Sequence, residues 1–146
     1  MSSPLLNPAR AKPRVSSQAA RSLAFMRVDR QGRVHDEHGR FSAVVWRATD
    51  RAGRRITLTR AALRHARGED ERRARERRAY LTARIIRTAV ERGRRHADVA
   101  PGRERLIAHG VGPSAHLVVV VEIHAGAGTV ITAYAMRRVP SAWRRI

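Results

Sequence analysis

Cysteine is missing from all 146 residues. That excludes disulfides, thiol catalysis and cysteine-based zinc sites, and it fits a reducing compartment, so a cytoplasmic location is expected. Lysine is nearly missing: every basic residue except Lys12 is arginine. Carboxylates are scarce, 12 Asp and Glu against 31 Lys and Arg, for a formal net charge of +19. A GC-rich coding bias accounts for arginine in place of lysine, but not for the excess of positive over negative charge. No apolar run approaches the roughly 18 residues of a membrane-spanning helix, so no membrane partner is expected. Residues 1–10 contain Pro4 and Pro8 and lack the apolar stretch of a secretory signal. Nucleotide-binding and hydrolase signatures are missing as well. Ala125-Gly-Ala-Gly128 has no Gly-Lys-Ser/Thr ending and opens a strand pattern, so it reads as a turn and not as a phosphate loop. There is no dinucleotide fingerprint and no Ser-His-Asp spacing. His35 and His38 are the only close histidine pair, in a turn-rich stretch with no second pair, so no metal and no other cofactor is expected.

What is present is an apolar pair of segments near the C-terminus, His116–His124 and Thr129–Met136, joined by that glycine-containing turn. They predict a hairpin on which the core is built. Alternation puts Leu117, Val119, Val121 and Ile123 on one face, and His116, Val118, Val120, Glu122 and His124 on the other. Upstream, residues 1–20 hold Pro4, Pro8 and Pro13 among Ser, Ala and Arg, and read as a flexible basic arm. Residues 21–40 read as an irregular lead-in rich in turns, and residues 41–146 as one domain.

Within that domain, Phe41–Thr49 predicts a strand, Asp50–Gly53 a turn, and Arg55–Leu58 the returning strand. Thr59 is a helix N-cap, with Leu58 and Leu63 placed as a hydrophobic staple, and the helix ends near Arg67-Gly68. A longer helix is expected over Glu71–Arg92, with Asp70 as its cap and Gly93 just past its end. Its core stripe is Leu81, Ile85, Ile86 and Ala89, with Tyr80, Arg84, Arg87 and Glu91 opposite. Arg94–Pro101 reads as a loop and Arg103–His109 as a strand. The expected fold is α+β: two helices packed on one face of a mainly antiparallel sheet of about five strands.

The arginines point to polyanions, because guanidinium groups hold phosphate oxygens in a fork and the summed field draws nucleic acid in. The densest run is Arg72, Arg73, Arg75, Arg77 and Arg78, with Arg94, Arg95, Arg137 and Arg138 as further phosphate contacts. His65 points away from Leu63 on its helix, so it does not simply fill the core. His109, His116 and His124 flank strand ends. Glu122, set in a valine strand, reads as the partner of an arginine on the outer sheet face, or else as a group that orients a catalytic arginine or acts as a base. Whether Thr132 shares the face of Glu122 depends on the turn: an odd-length loop places them together, an even-length loop apart.

Taken in order, Ile56-Thr-Leu-Thr-Arg-Ala-Ala-Leu-Arg-His65, a helix with Ile85-Ile-Arg-Thr-Ala-Val90, and strands with Leu117-Val-Val-Val-Val121 and Val130-Ile-Thr-Ala-Tyr134 resemble a known group. They are similar to the barnase–EndoU–colicin–RelE nuclease-like domains found in phage minor head proteins and polymorphic toxins. The likeness spans about residues 41–138. It implies a metal-independent ribonuclease that cleaves RNA by 2′-hydroxyl attack. His65 would transfer protons, Arg84 would stabilise phosphate charge and Thr132 would position the substrate. RNA is the implied partner, with an antitoxin or immunity protein as a second. The chain departs from the pattern after His65, where Ala-Arg-Gly-Glu follows, and at Arg103-Glu-Arg-Leu. The alternative expectation is a non-catalytic basic nucleic-acid-binding or phage-associated protein that keeps the fold.

Overall fold

The computed structural model describes residues 27–30, 33–35, 42–69 and 71–146. In chain order the elements are β1 (Arg27–Val28), β2 (Val34–His35), β3 (Val44–Thr49), β4 (Arg55–Thr59), α1 (Arg60–Arg67), α2 (Arg72–Arg77), α3 (Ala83–Arg92), β5 (Arg94–Ala97), β6 (Arg103–His109), β7 (His116–His124) and β8 (Ala127–Met136). The arm at 1–20, most of the 21–40 lead-in and the Asp70 cap lie outside the described residues. β1 and β2 form a two-stranded ribbon. The remaining strands form one sheet in the order β3-β4-β8-β7-β6-β5, antiparallel except for the β4–β8 pair. The α+β class and the mainly antiparallel sheet are as expected, with one more strand and one more helix.

The extra strand is β5, in the stretch read as a loop. Arg94–Ala97 pairs antiparallel with residues 104–107 of β6. Its four residues carry no apolar alternation, so only the neighbouring strand makes it one. The extra helix comes from a break in the expected Glu71–Arg92 helix. In α2 only Ala74 is buried, and Glu71 caps it without a side-chain bond. Arginines crowded at three- and four-residue spacing repel, which weakens such a helix. The chain then turns: Leu81 enters the core fully buried, and Thr82 caps a new helix by accepting the Ile85 N–H at 3.2 Å. Tyr80 therefore lies in the turn and not on the outer side of α3; its hydroxyl accepts the Ala135 N–H at 3.0 Å.

The first hairpin and α1 form as the sequence predicts. The Thr59 hydroxyl accepts the Ala62 N–H at 3.2 Å, and Gly68 closes the helix in the left-handed region at φ 64°. The Trp46 indole donates to the Ala83 carbonyl at 2.9 Å, tying β3 to the start of α3. α1 and α3 cover one sheet face, burying Ala62, Ala66, Ile86, Ala89 and Val90 against Ile56, Leu58, Leu106, Leu117, Val119 and Val121. The other face is apolar too. Val118, Val120, Ile107 and Ile131 form a second cluster, covered by Tyr134, Met136, Val139 and Trp143.

The β7–β8 turn has two residues, Ala125 and Gly126, both at positive φ (53° and 77°), which matches the right-handed twist of the flanking strands. An even-length turn alone would set Thr132 opposite to Glu122. A β-bulge intervenes. Val121 pairs with Val130 but Val120 pairs with Thr132, so Ile131 is the extra residue and Thr132 returns to the outer face with Glu122. Nearer the turn, Gly128 lets β4 approach: a Cβ there would lie 2.6 Å from Ile56 Cδ1 and 2.9 Å from Ile123 Cδ1. Gly128→Ala is expected to lower stability by about 1–3 kcal/mol through overpacking, measured as a reduced urea midpoint. An unchanged midpoint would mean that both isoleucines yield without cost.

Candidate nucleic-acid interface

With so few carboxylates, their allocation decides which arginines remain open to solvent. On the helical face, Glu104 of β6 accepts from Arg95 at 2.8 and 2.9 Å and from Arg54 at 3.0 and 3.1 Å. Arg54 also reaches Asp50 at 2.8 Å, and the Asp50 carboxylate takes the backbone N–H groups of Ala52 and Arg54 in the β3–β4 turn. The hydrogen bonds from Arg95, then those from Arg54, hold the Glu104 carboxyl down at about 2 against the opposing effect of burial. On the outer face Arg103 pairs with Glu122 at 3.2 Å, as expected for Glu122. Arg105 is held by Asp98 at 2.8 Å, and its guanidinium lies 3.8 Å over the Trp143 ring. Arg95 thus has its fork engaged on Glu104.

The other arginines expected to meet phosphate are placed differently. Arg72, Arg73, Arg75 and Arg77 are exposed on α2, and Arg78 is half-buried just beyond it. Among the described residues only Arg72 of this run has an acidic partner, Glu76 at 3.4 Å, in a solvent-exposed pair of small energetic weight. Arg137 and Arg138 are exposed directly after β8, at the end of the sheet where Met136 pairs with His116. Arg94 opens β5 at that same end, opposite Ile107. Tyr80, with the Arg78 charge acting on it, is drawn to the same end by its bond to Ala135.

His65 is half-buried on α1 and Arg84 is exposed on α3, both in the helical layer. Thr132 is half-buried on the opposite face, across from Val120 of the second cluster. The sheet stands between Thr132 and the other two, and the three do not converge.

Two basic concavities do form. One, of about 160 Å³, lies near the β7–β8 turn and includes Arg33, Arg47, Thr57, His124 and Thr129 in its lining. Arg33 there is bound to Asp29 at 2.9 Å. The other, of about 380 Å³, lies at the end where β8 leaves the sheet and draws Arg92, Arg94, His96, His109, His116 and Arg145 together. The rings of His109 and His116 are 5.2 Å apart between centroids. The Nδ1–H of His96 donates to the Arg94 carbonyl at 3.1 Å, and burial followed by the Arg105 charge lowers its pKa. Sequence reasoning marked His109, His116 and Arg94, but missed Arg92, His96 and Arg145. Their proximity follows from β5 and from the bridge between His96 and Arg145, for which no local pattern exists.

Among the described residues, no group of three His, Asp or Glu is placed to hold a metal ion. No known family model, curated protein or solved structure matches the chain significantly.

The Glu104 pairings predict a pH dependence. A carboxyl held low in the folded state adds stability that is complete above its unfolded value, about 4.5, and is lost as pH falls toward about 2. Glu104→Gln should therefore cost about 2–3 kcal/mol at pH 7 after allowing for solvent screening, and the two proteins should converge in acid. Urea unfolding across the acid range measures this. A gap that stays constant down to the lowest pH would show that Glu104 acts through packing and not through charge.

Proposed function

We propose that the protein binds nucleic acid through the arginine-dense end of its sheet, without turnover at His65, Arg84 and Thr132. The observation that carries this reading is the gathering of Arg92, Arg94, Arg137, Arg138 and Arg145 at one end, none with a carboxylate partner among the described residues. Cationic side chains gathered in this way release counterions from a phosphate backbone, and affinity then falls linearly with salt on logarithmic axes. No helix among the described residues is long and apolar enough to cross a membrane.

The resemblance to ribonuclease domains supports a second reading, metal-independent RNA cleavage with an immunity-type partner. In its favour stands the segment order, with the Thr59-capped helix, a later helix and the terminal hairpin all formed. Against it stands the separation of His65 from Thr132 by the sheet, since an acid–base pair must reach one scissile phosphate.

One experiment addresses both. Fluorescence anisotropy with labelled single-stranded RNA should show binding that weakens steeply with salt. Arg137→Ala combined with Arg138→Ala should reduce the logarithmic salt slope by about 1.4, at roughly 0.7 per lost phosphate contact. The RNA recovered after incubation in EDTA should be intact. Salt-insensitive binding would reject the electrostatic reading, and fragments that vanish in His65→Ala would establish the second one.

A further inference from the structure

The larger concavity is composed differently from the rest of the basic surface. Its cationic and titratable lining comes from several elements at once: Arg92 from α3, Arg94 and His96 from β5, His109 from β6, His116 from β7, and Arg145 from the segment beyond β8. Ile107 and Val139 complete it with apolar surface, and no carboxylate lines it. Neighbouring acids are already engaged, Asp98 with Arg105 and Glu91 with Arg87. The wall from the C-terminal segment is fixed in place. Ala97 donates to the Arg144 carbonyl at 2.8 Å, Ile146 donates to the Arg95 carbonyl at 3.0 Å, and Trp143 sits on Arg105.

We propose that this concavity binds the terminal phosphate of a nucleic-acid strand. The proposal rests on the nucleic-acid reading above and gives it a point of attachment. Three guanidinium groups around one hollow exceed what a single phosphodiester, with its one charge, can neutralise. A terminal monoester carries close to two negative charges at neutral pH and offers three acceptor oxygens. Arginine forks match that geometry. The wall carrying Val139 and Arg145 favours a chain end over a strand running through, and Ile107 and Val139 give the last sugar or base an apolar surface. His109 and His116, with ring centroids 5.2 Å apart, bring two further nitrogen-bearing rings to the same hollow. His96, with its Nδ1–H given to the Arg94 carbonyl and its protonation disfavoured by burial and then by Arg105, forms part of the wall.

The test uses short fluorescent oligonucleotides of one sequence carrying a 5′-phosphate, a 3′-phosphate or hydroxyls at both ends. At pH 6.5 one phosphorylated form should bind roughly tenfold tighter than the hydroxyl form, as expected for an added charge-assisted contact. Arg94→Ala with Arg145→Ala, both exposed side chains, should weaken binding of all three forms and bring the phosphorylated forms down to the affinity of the hydroxyl form, abolishing the preference. Equal affinity for all three oligonucleotides overturns the proposal. If none binds, the nucleic-acid reading fails, and inorganic phosphate then decides the site. Phosphate-induced shifts in the His109 and His116 ring resonances would uphold a phosphate site, and unshifted resonances would reject it.

Discussion

β7 is buried on both faces, and the rest of the molecule is arranged to satisfy that constraint. Leu117 through Val121 are all within the core. Each such side chain contributes on the order of 1.5–3 kcal/mol when removed from water, so neither face can be left open. Many antiparallel sheets leave one side solvated. Here α1 and α3 cover the first side, and the segment with Val139 and Trp143 covers the second. The C-terminal segment is therefore part of the core structure, and its charged residues are carried into fixed positions by its apolar ones.

Electrostatics follows from that arrangement. A chain with 12 acidic and 31 basic residues cannot pair every arginine. Carboxylates sit where an unpaired guanidinium would be most costly: Glu104 beneath the helices, and Glu122 of β7 and Asp98 beyond β5 against Arg103 and Arg105 of β6. Of the remaining arginines, Arg92, Arg94, Arg137 and Arg138 stand exposed at the ends of a helix and strands, where water solvates them. Because β5, β6, β7 and β8 all begin or end at the same side, those positions concentrate them in one place. A patch of positive charge thus arises from the sheet topology together with the shortage of acids, with no single charge run in the sequence describing it.

The local signals were readable and the non-local ones were not. Thr59 as a cap, Gly68 as a helix stop, the Asp50 turn and the two-faced alternation of β7 each depend on a few neighbouring residues, and each was visible in the chain. Arg94–Ala97 has no such pattern; it is a strand because β6 offers it hydrogen-bonding groups. The break at Tyr80–Thr82 was legible in principle, since Thr82 stands three residues before Ile85 as a cap, but the apolar spacing of Leu81, Ile85 and Ala89 runs smoothly across it. The face of Thr132 was beyond any parity rule. The sequence leaves the turn length open, and the bulge at Ile131 is a cross-strand event that reverses what the two-residue turn alone would give. For the candidate site, His109 and His116 were marked by position, whereas Arg92, His96 and Arg145 meet only through the C-terminal bridge.

That bridge has a consequence for association between copies. A sheet edge with free backbone groups templates strand addition and aggregation. Among the described residues the two edges of the six-stranded sheet are β3 and β5. β5 is blunted by hydrogen bonds with Arg144 and Ile146, and β3 by a bulge between Val44 and Trp46. In free solution the net positive charge alone would keep copies apart. On a polyanion of the kind proposed, that repulsion would be neutralised while the local concentration rose, and the blunted edges would then keep neighbouring molecules from joining sheet to sheet.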